Sequence, residues 1–442
     1  MRALQRRTRA LLTAVLLVSS AGCGVRRSDG PDIFLIIIDT LRADHLSCYG
    51  YGRETSPVLD SLAAAGTLFA RCQAQAPWTL PACASIWTGM SVASHGAGMR
   101  GLATYGLSPD LATIGTVLKS QGYVTLAFVN TVLVSGVVGF ARDFDYYSWD
   151  PLGHGRAGET VDEALGWFQE NRGNPAPKLV VIHLFDVHAP YDPPAGFDSL
   201  FGACGSAGLT EWRTDSLTCA PEPGDRDHLV DMYDGEIAWV DSQLGRLFAE
   251  LRRTGVADHA LIVVTADHGE EFLDHGCCGH SHTLYQELLH VPLIVSGPGI
   301  PAGVVDSIPR GQIDILPTLA AWAGAPVPAG VEGIGLFSTV PPDRVLPSSG
   351  VIRGHFQTGA DEEFESICSV MSWPLKGVMN FETGEAALYD LRSDPGESAP
   401  LPLDSTLTAE LDYYRATPPR VAPPVIFDRT VDENLEGLGY IR

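Results

Sequence analysis

The chain has 442 residues, of which 45% are hydrophobic and 19% charged, enough for a large buried core and a smaller second unit, which excludes a disordered chain. Acidic residues outnumber basic ones 53 to 29, a formal net charge of −24, which argues against nucleic acid as a partner. An anionic substrate would need a local source of positive charge, and a bound metal ion supplies one.

The first residues carry Arg2, Arg6, Arg7 and Arg9, then an apolar run from Leu11 to Val18, then Ser19-Ser20-Ala21-Gly22 before Cys23. The apolar run is too short to span a bilayer, so residues 1–22 read as a cleaved export signal and 23–31 as a tether. Small residues directly before a cysteine resemble the lipobox of bacterial lipoproteins, in which Cys23 would be lipidated. Ser20 stands where that pattern prefers Leu, so plain secretion is the alternative. The expected location is the periplasm or cell envelope, with membrane contact only through Cys23.

From Asp32 onward short apolar runs alternate with amphipathic stretches, the pattern of an α/β fold with a largely parallel sheet covered on both faces. Strands are predicted at Ile33 to Ile38, Val124 to Val129, Leu179 to Leu184, Leu261 to Thr265 and Val291 to Val295, and helices at Pro57 to Ala65, Leu111 to Gln121 and Leu229 to Arg253. Ligands gather beyond the carboxyl ends of such strands. There stand Asp39, Asn130, Asp186 with His188, and Asp267 with His268. Pro194 to Gly224 reads as an inserted loop, Ile315 to Trp322 as an apolar helix, and the Pro/Ser-rich stretch Ser338 to Gly350 as a boundary between a domain at 32–337 and a subdomain at 338–442.

Four segments carry chemistry. In Asp39-Thr40-Leu41-Arg42-Ala43-Asp44-His45, the Asp after a buried strand is a natural metal ligand, or a cap for the following turn. In Trp78-Thr79-Leu80-Pro81, Thr79 opens a helix as its N-cap, a position that also suits a nucleophile, because amides and dipole at a helix start stabilise an alkoxide and a charged group. In Asp267-His268-Gly269, both side chains reach one ion if Gly269 lets the chain turn sharply. Phe185-Asp186-Val187-His188 offers a donor or an acid for a leaving group.

Nine cysteines are present, and export makes the eight besides Cys23 available for disulfides, Cys204 with Cys219 being the expected pair. Cys277 and Cys278 lie among His275, His280 and His282, a density compatible with a zinc site of its own, although export favours disulfides with separate partners.

These segments in this order resemble the sulfatase family, together with Tyr233-Asp234-Gly235-Glu236, Leu284-Tyr285-Gln286-Glu287 before Val291-Pro292-Leu293, Asp314-Ile315-Leu316-Pro317-Thr318, and Leu388-Tyr389-Asp390-Leu391. The resemblance covers nearly all of residues 32–442. It implies an alkaline phosphatase-like three-layer α/β/α sandwich with a smaller C-terminal α+β subdomain.

The departures are informative. Formylglycine-type sulfatases carry Cys or Ser at the position of Thr79 and Arg at that of Cys83, so no formylglycine is expected here. The Lys and His that support it are also missing, with Asn130 in the corresponding region. A Thr nucleophile is what related phosphodiesterases, phosphoethanolamine transferases and lipoteichoic acid synthases use. Thr40 replaces a second Asp and His268 an Asn, which moves the preference from calcium, the remaining alternative, toward zinc or manganese.

The resemblance therefore implies one divalent ion on Asp39, Asp267, His268 and Thr79. His188, with one or both of His280 and His282, would bind substrate oxygens or protonate the leaving group, with Asn130 the weaker candidate. The expected activity is hydrolysis of a small or glycan- or lipid-linked anionic ester, phosphate or phosphonate ahead of sulfate. A phosphoalcohol transferase and a catalytically silent binding protein are the alternatives.

Overall fold

The computed structural model describes residues 30–100, 103–149, 156–202, 224–353, 364–417, 420–421 and 424–427. The expected export signal, Cys23, and the Cys204–Cys219 pair lie outside the described residues. No helix among the described residues is long and apolar enough to cross a membrane.

The main sheet has eight strands: β1 (Ile33–Ile38), β2 (Thr67–Phe69), β3 (Val124–Val129), β4 (Tyr146–Trp149), β5 (Lys178–Leu184), β6 (Leu261–Ala266), β7 (Leu293–Ser296) and β8 (Val304–Asp306). Their order across the sheet is β8-β2-β7-β6-β1-β5-β3-β4. The five strands from β6 to β4 are mutually parallel, with Ile37 of β1 opposite His183 of β5 and Thr265 of β6. β1 is buried along its whole length, as an apolar strand covered on both faces must be.

Helices α1 (Pro57–Ala64), α4 (Ala157–Glu170) and α5 (Asp225–Arg253) pack together on one face, and α2 (Thr79–Thr88), α3 (Ile114–Ser120) and α6 (Ile315–Trp322) on the other. The architecture is thus the expected three-layer α/β/α sandwich. One strand differs from its prediction. Val291 to Val295 is not a parallel strand: His290–Val291 pairs with Cys72–Gln73 in a small separate sheet, and β7 runs antiparallel to β6. Pro292, which cannot donate to a ladder, divides the two pieces, and no long crossover helix lies between β6 and β7 to carry the chain back to the far edge.

The C-terminal subdomain is a four-stranded antiparallel sheet, β9 (Leu346–Arg353), β10 (Phe364–Ser372), β11 (Leu375–Asn380) and β12 (Ala386–Asp390), backed by α7 (Ser405–Ala416). The Pro/Ser-rich boundary is therefore shorter than expected, because β9 begins inside it; Pro347 is tolerated on this edge strand. β9 lies against the main body, where Ser349 N donates to Gln75 O at 2.9 Å.

Candidate metal centre and nucleophile

Two parallel neighbours, β1 and β6, end side by side and deliver Asp39 and Asp267 with His268, all fully buried, to the carboxyl edge of the sheet. The next residue, Thr40, has a φ of +53°, a strained value for a β-branched residue. Its hydrogen bonds hold it there: N–H donates to Asp267 Oδ1 at 3.1 Å, Oγ1 donates to Val187 O at 2.9 Å, and its carbonyl accepts from the Tyr233 hydroxyl at 2.7 Å. Thr40 thus fixes Asp267 through its backbone, while its side chain is turned to β5's following loop.

Asp267 Oδ1 also accepts the His268 N–H at 2.8 Å. Behind it, Gln312 Nε2 donates to the carbonyls of Ala266 and Asp267, each at 2.6 Å. Gly269 is required by close approach rather than by a left-handed turn: a Cβ there would sit 2.0 Å from the Glu287 carbonyl oxygen.

His268 Nδ1 donates to Gly269 O at 2.9 Å, which leaves Nε2 as the nitrogen with the lone pair. That atom lies 3.5 Å from Asp267 Oδ2, 3.7 Å from Asp39 Oδ1 and 3.3 Å from Thr79 Oγ1. Carboxylate oxygens, an imidazole lone pair and the Thr79 hydroxyl thus converge on one point. Thr79 is the first residue of α2 rather than its N-cap, which is Trp78, and its hydroxyl is directed to this cluster.

A further imidazole closes the group. His183, near the end of β5, is fully buried with Nε2 3.5 Å from Asp39 Oδ2, and neither of its ring nitrogens has a hydrogen-bond partner. Cys83, one helical turn beyond Thr79, is a buried free thiol, not a disulfide, and its sulfur lies within 4.8 Å of ligand atoms of His183 and Asp267.

Burial dominates the electrostatics. It holds the imidazoles down, His268 to about 3 and His183 to about 4, so both are neutral bases at neutral pH. Burial, then the charges of Asp267 and Glu270, push Asp39 well above the usual carboxylate range, while the neighbouring Thr79 hydroxyl pulls it back. Asp267 is likewise raised by burial.

The residues fit a divalent cation. Asp39, Asp267 and His268 each offer a ligand atom within 4.8 Å of the others, and both Asp39 oxygens and Asp267 Oδ2 lack a hydrogen-bond partner of good geometry. Buried carboxylates left so are costly, and a cation is the group that relieves them.

The remaining predicted residues divide. His280 joins the cluster, with its ring 4.6 Å from that of His268 and 4.9 Å from that of His188, and its Nδ1 3.1 Å from Glu270 Oε1. His188 stacks on Phe185 at 4.3 Å and donates from Nδ1 to Ala189 O at 2.5 Å. His282 uses both ring nitrogens elsewhere, Nε2 on Glu271 Oε2 at 2.8 Å and Nδ1 on the His280 carbonyl at 3.0 Å. Asn130 Oδ1 accepts the Thr160 hydroxyl of α4 at 2.8 Å, a tie between sheet and helix. Asp186 accepts the Ala157 N–H at the start of α4 and the Trp239 indole N–H, each at 2.9 Å, and so serves as a cap.

The family description "Sulfatase" matches residues 31–325, two-thirds of the chain. This chain belongs to the sulfatase family. It is 22% identical over 448 residues to the Delta 4,5-hexuronate-2-O-sulfatase of Bacteroides thetaiotaomicron, covering 89% of each chain. It is 25% identical over 456 residues to the arylsulfatase of Clostridium perfringens, covering 87% of this chain and 93% of that one. Among solved structures it is similar to the phosphonate monoester hydrolase of Silicibacter pomeroyi, with a TM-score of 0.70 and 22% identity over 87% of this chain and 93% of that one. The fold is therefore that of the sulfatase and alkaline phosphatase superfamily of hydrolases, and the buried Asp39, Asp267 and His268 group can hold a metal ion.

Within this sulfatase-family chain, sequence reasoning missed His183, Gln312 and Glu270. His183 had a signal: a lone imidazole inside the otherwise apolar run of β5. Glu270 directly follows the Asp267-His268-Gly269 motif, but nothing in the sequence says that its carboxylate, rather than that of Glu271, holds His280. Gln312 is distant in sequence, and only the fold brings it beneath Asp267.

Proposed function

We propose that this sulfatase-family chain hydrolyses phosphate or phosphonate esters through Thr79 as nucleophile. The observation that carries the reading is the Thr79 hydroxyl at the first turn of buried α2, 3.3 Å from His268 Nε2 and within the Asp39, Asp267 and His268 group.

Asp39, Asp267, His268 and Thr79 would hold a divalent ion, whose positive charge would lower the pKa of the hydroxyl and withdraw charge from the transferred group. Thr79 Oγ1 forms a bond to phosphorus as the ester P–O bond breaks, its own proton leaving to solvent. His280, oriented by Glu270, would bind the non-bridging oxygens and give the departing alkoxide its proton, while His188, kept neutral by burial with its Nδ1 proton on the Ala189 carbonyl, packs beside it and helps to set its position. Water then attacks phosphorus and releases Thr79. His282 is left out, since Glu271 and the His280 carbonyl occupy both its nitrogens. Asn130 is left out because Thr160 holds it as a structural tie.

A second reading, sulfate ester hydrolysis without formylglycine, is favoured by the names of the relatives, a hexuronate sulfatase and an arylsulfatase. Both readings take a small anionic ester, on a sugar or lipid. The charged start and short apolar run at residues 1–22, ending at Cys23, support export and a lipid anchor. The test is a panel of aryl sulfate, phosphate monoester, phosphate diester and phosphonate substrates, each with zinc, manganese and calcium. Fastest turnover on a phosphorus ester, with a covalent adduct on the Thr79 peptide after quenching, is the expected result. Turnover confined to sulfate esters selects the second reading.

A further inference from the structure

The segment after the catalytic cluster folds back as a short hairpin in which Glu271 pairs with Gly279 and Phe272 with Cys278. His280 directly follows its second strand, so the hairpin sets where His280 stands. Three residues of different chemistry meet behind it. Glu271, Cys277 and His282 each offer one ligand atom, and the three atoms lie within 4.8 Å of one another.

The surroundings orient these groups. Glu271 Oε1 accepts the backbone N–H of His275 at 3.0 Å and of Cys277 at 2.8 Å, which leaves Oε2 to His282 Nε2 at 2.8 Å. His282 Nδ1 donates to the His280 carbonyl at 3.0 Å, so Nε2 is the nitrogen presented to the group. Cys277 is a half-buried free thiol, although its neighbour Cys278 is disulfide-bonded. Its sulfur is partly exposed and lies beside an imidazole and a carboxylate.

We propose that Cys277 Sγ, His282 Nε2 and Glu271 Oε2 form a second metal site, for a thiophilic divalent cation of the zinc class. One thiolate, one imidazole and one carboxylate are zinc's own donor types, and three protein ligands leave the fourth position to water. On binding, the thiol and the imidazole Nε2 each lose a proton to solvent, and the cation replaces the proton that now bridges His282 and Glu271. Two ligands, Cys277 and His282, bracket His280, so the ion would clamp the hairpin that carries it. The site shares no ligand with the Asp39, Asp267 and His268 group.

The test is elemental analysis of the full chain purified with zinc. The wild type should hold roughly two ions per chain, and Cys277→Ser and Asp267→Ala roughly one each. A wild type with one ion that Cys277→Ser retains overturns the hairpin site and leaves the catalytic one intact. Asp267→Ala without effect sinks the catalytic assignment instead. Cobalt substitution adds a readout that needs no stable variant at the catalytic group: a thiolate-to-cobalt absorption band should be present in the wild type and in Cys83→Ser, and absent in Cys277→Ser. Loss of the band with Cys83→Ser, or its absence from the wild type, overturns the proposal. If Cys277→Ser does not fold, alkylation of Cys277 in the wild type decides: zinc should slow it about tenfold or more, and equal rates with and without zinc refute the site.

Discussion

His183 Nε2 faces Asp39 Oδ2 at 3.5 Å across adjacent parallel strands, with both side chains fully buried and neither imidazole nitrogen hydrogen-bonded. An imidazole in that position adds a neutral base to the edge of the carboxylate group. His183→Ala is expected to weaken zinc affinity by about 10–100-fold while the chain stays folded, the effect of losing a group that tunes a metal's ligands. Competition with a chromophoric chelator measures it. Unchanged affinity would make His183 a core residue and nothing more.

Thr79 decides what kind of enzyme this is. Thr79→Ala is expected to lower turnover by several orders of magnitude, since only metal and binding contributions would remain. Thr79→Ser keeps the oxygen and should retain partial activity. Thr79→Cys alone should not generate formylglycine chemistry, because Cys83 stands where the recognition Arg would be. Near-normal rates for the Ala variant on the best substrate would reduce Thr79 to a structural start of α2.

The two carboxylates of the proposed metal group were legible because a strand pattern ends at each of them: the ends of the apolar runs Ile33–Ile38 and Leu261–Ala266 lie one residue before Asp39 and Asp267. Local pattern also marked α6 but not the C-terminal sheet, which was expected only from the family resemblance. It failed where long-range contact decides. His280 and His282 are two residues apart and chemically identical, and only the fold gives one to Glu270 and the catalytic group and the other to Glu271. Asp186 and Asn130 have the same strand-end position as Asp39, yet α4 takes both, through Ala157 N–H and the Thr160 hydroxyl. The direction of β7 was hidden because an apolar run reads the same both ways.

Stability of the metal-free chain should depend on pH in two opposing ways. Burial holds His268 at about 3 and His183 at about 4, whereas the unfolded chain protonates its imidazoles near 6.5, so their contribution is lost as pH falls below that value. Burial raises Asp39 and Asp267 above 3.8, so the folded chain holds protons that the unfolded chain releases, and their contribution is lost as pH rises through the folded values. A cation takes the place of those protons. The rise in Tm on adding zinc to chelator-treated protein should therefore be larger at pH 8 than at pH 5. The reverse order would mean that these carboxylates are not what the ion binds.

The last prediction concerns how the C-terminal subdomain holds the catalytic loop. Lys376 of β11 is fully buried, pairs with Glu397 at 2.7 Å and donates to the Leu284 carbonyl, while Glu397 Oε2 accepts the Gln286 N–H at 2.6 Å. Leu284 and Gln286 close the segment that carries His280 and His282, so one buried ion pair ties that segment to the second sheet. Lys376→Met leaves Glu397 buried without its cation and should destabilise the chain by about 3–5 kcal/mol. Adding Glu397→Gln removes the stranded charge and keeps an acceptor for Gln286, so the double variant should recover at least half of that loss. Denaturant unfolding of the full chain gives both numbers. A single variant within about 0.5 kcal/mol of wild type, or a double variant worse than the single, would mean that the pair does not anchor the loop.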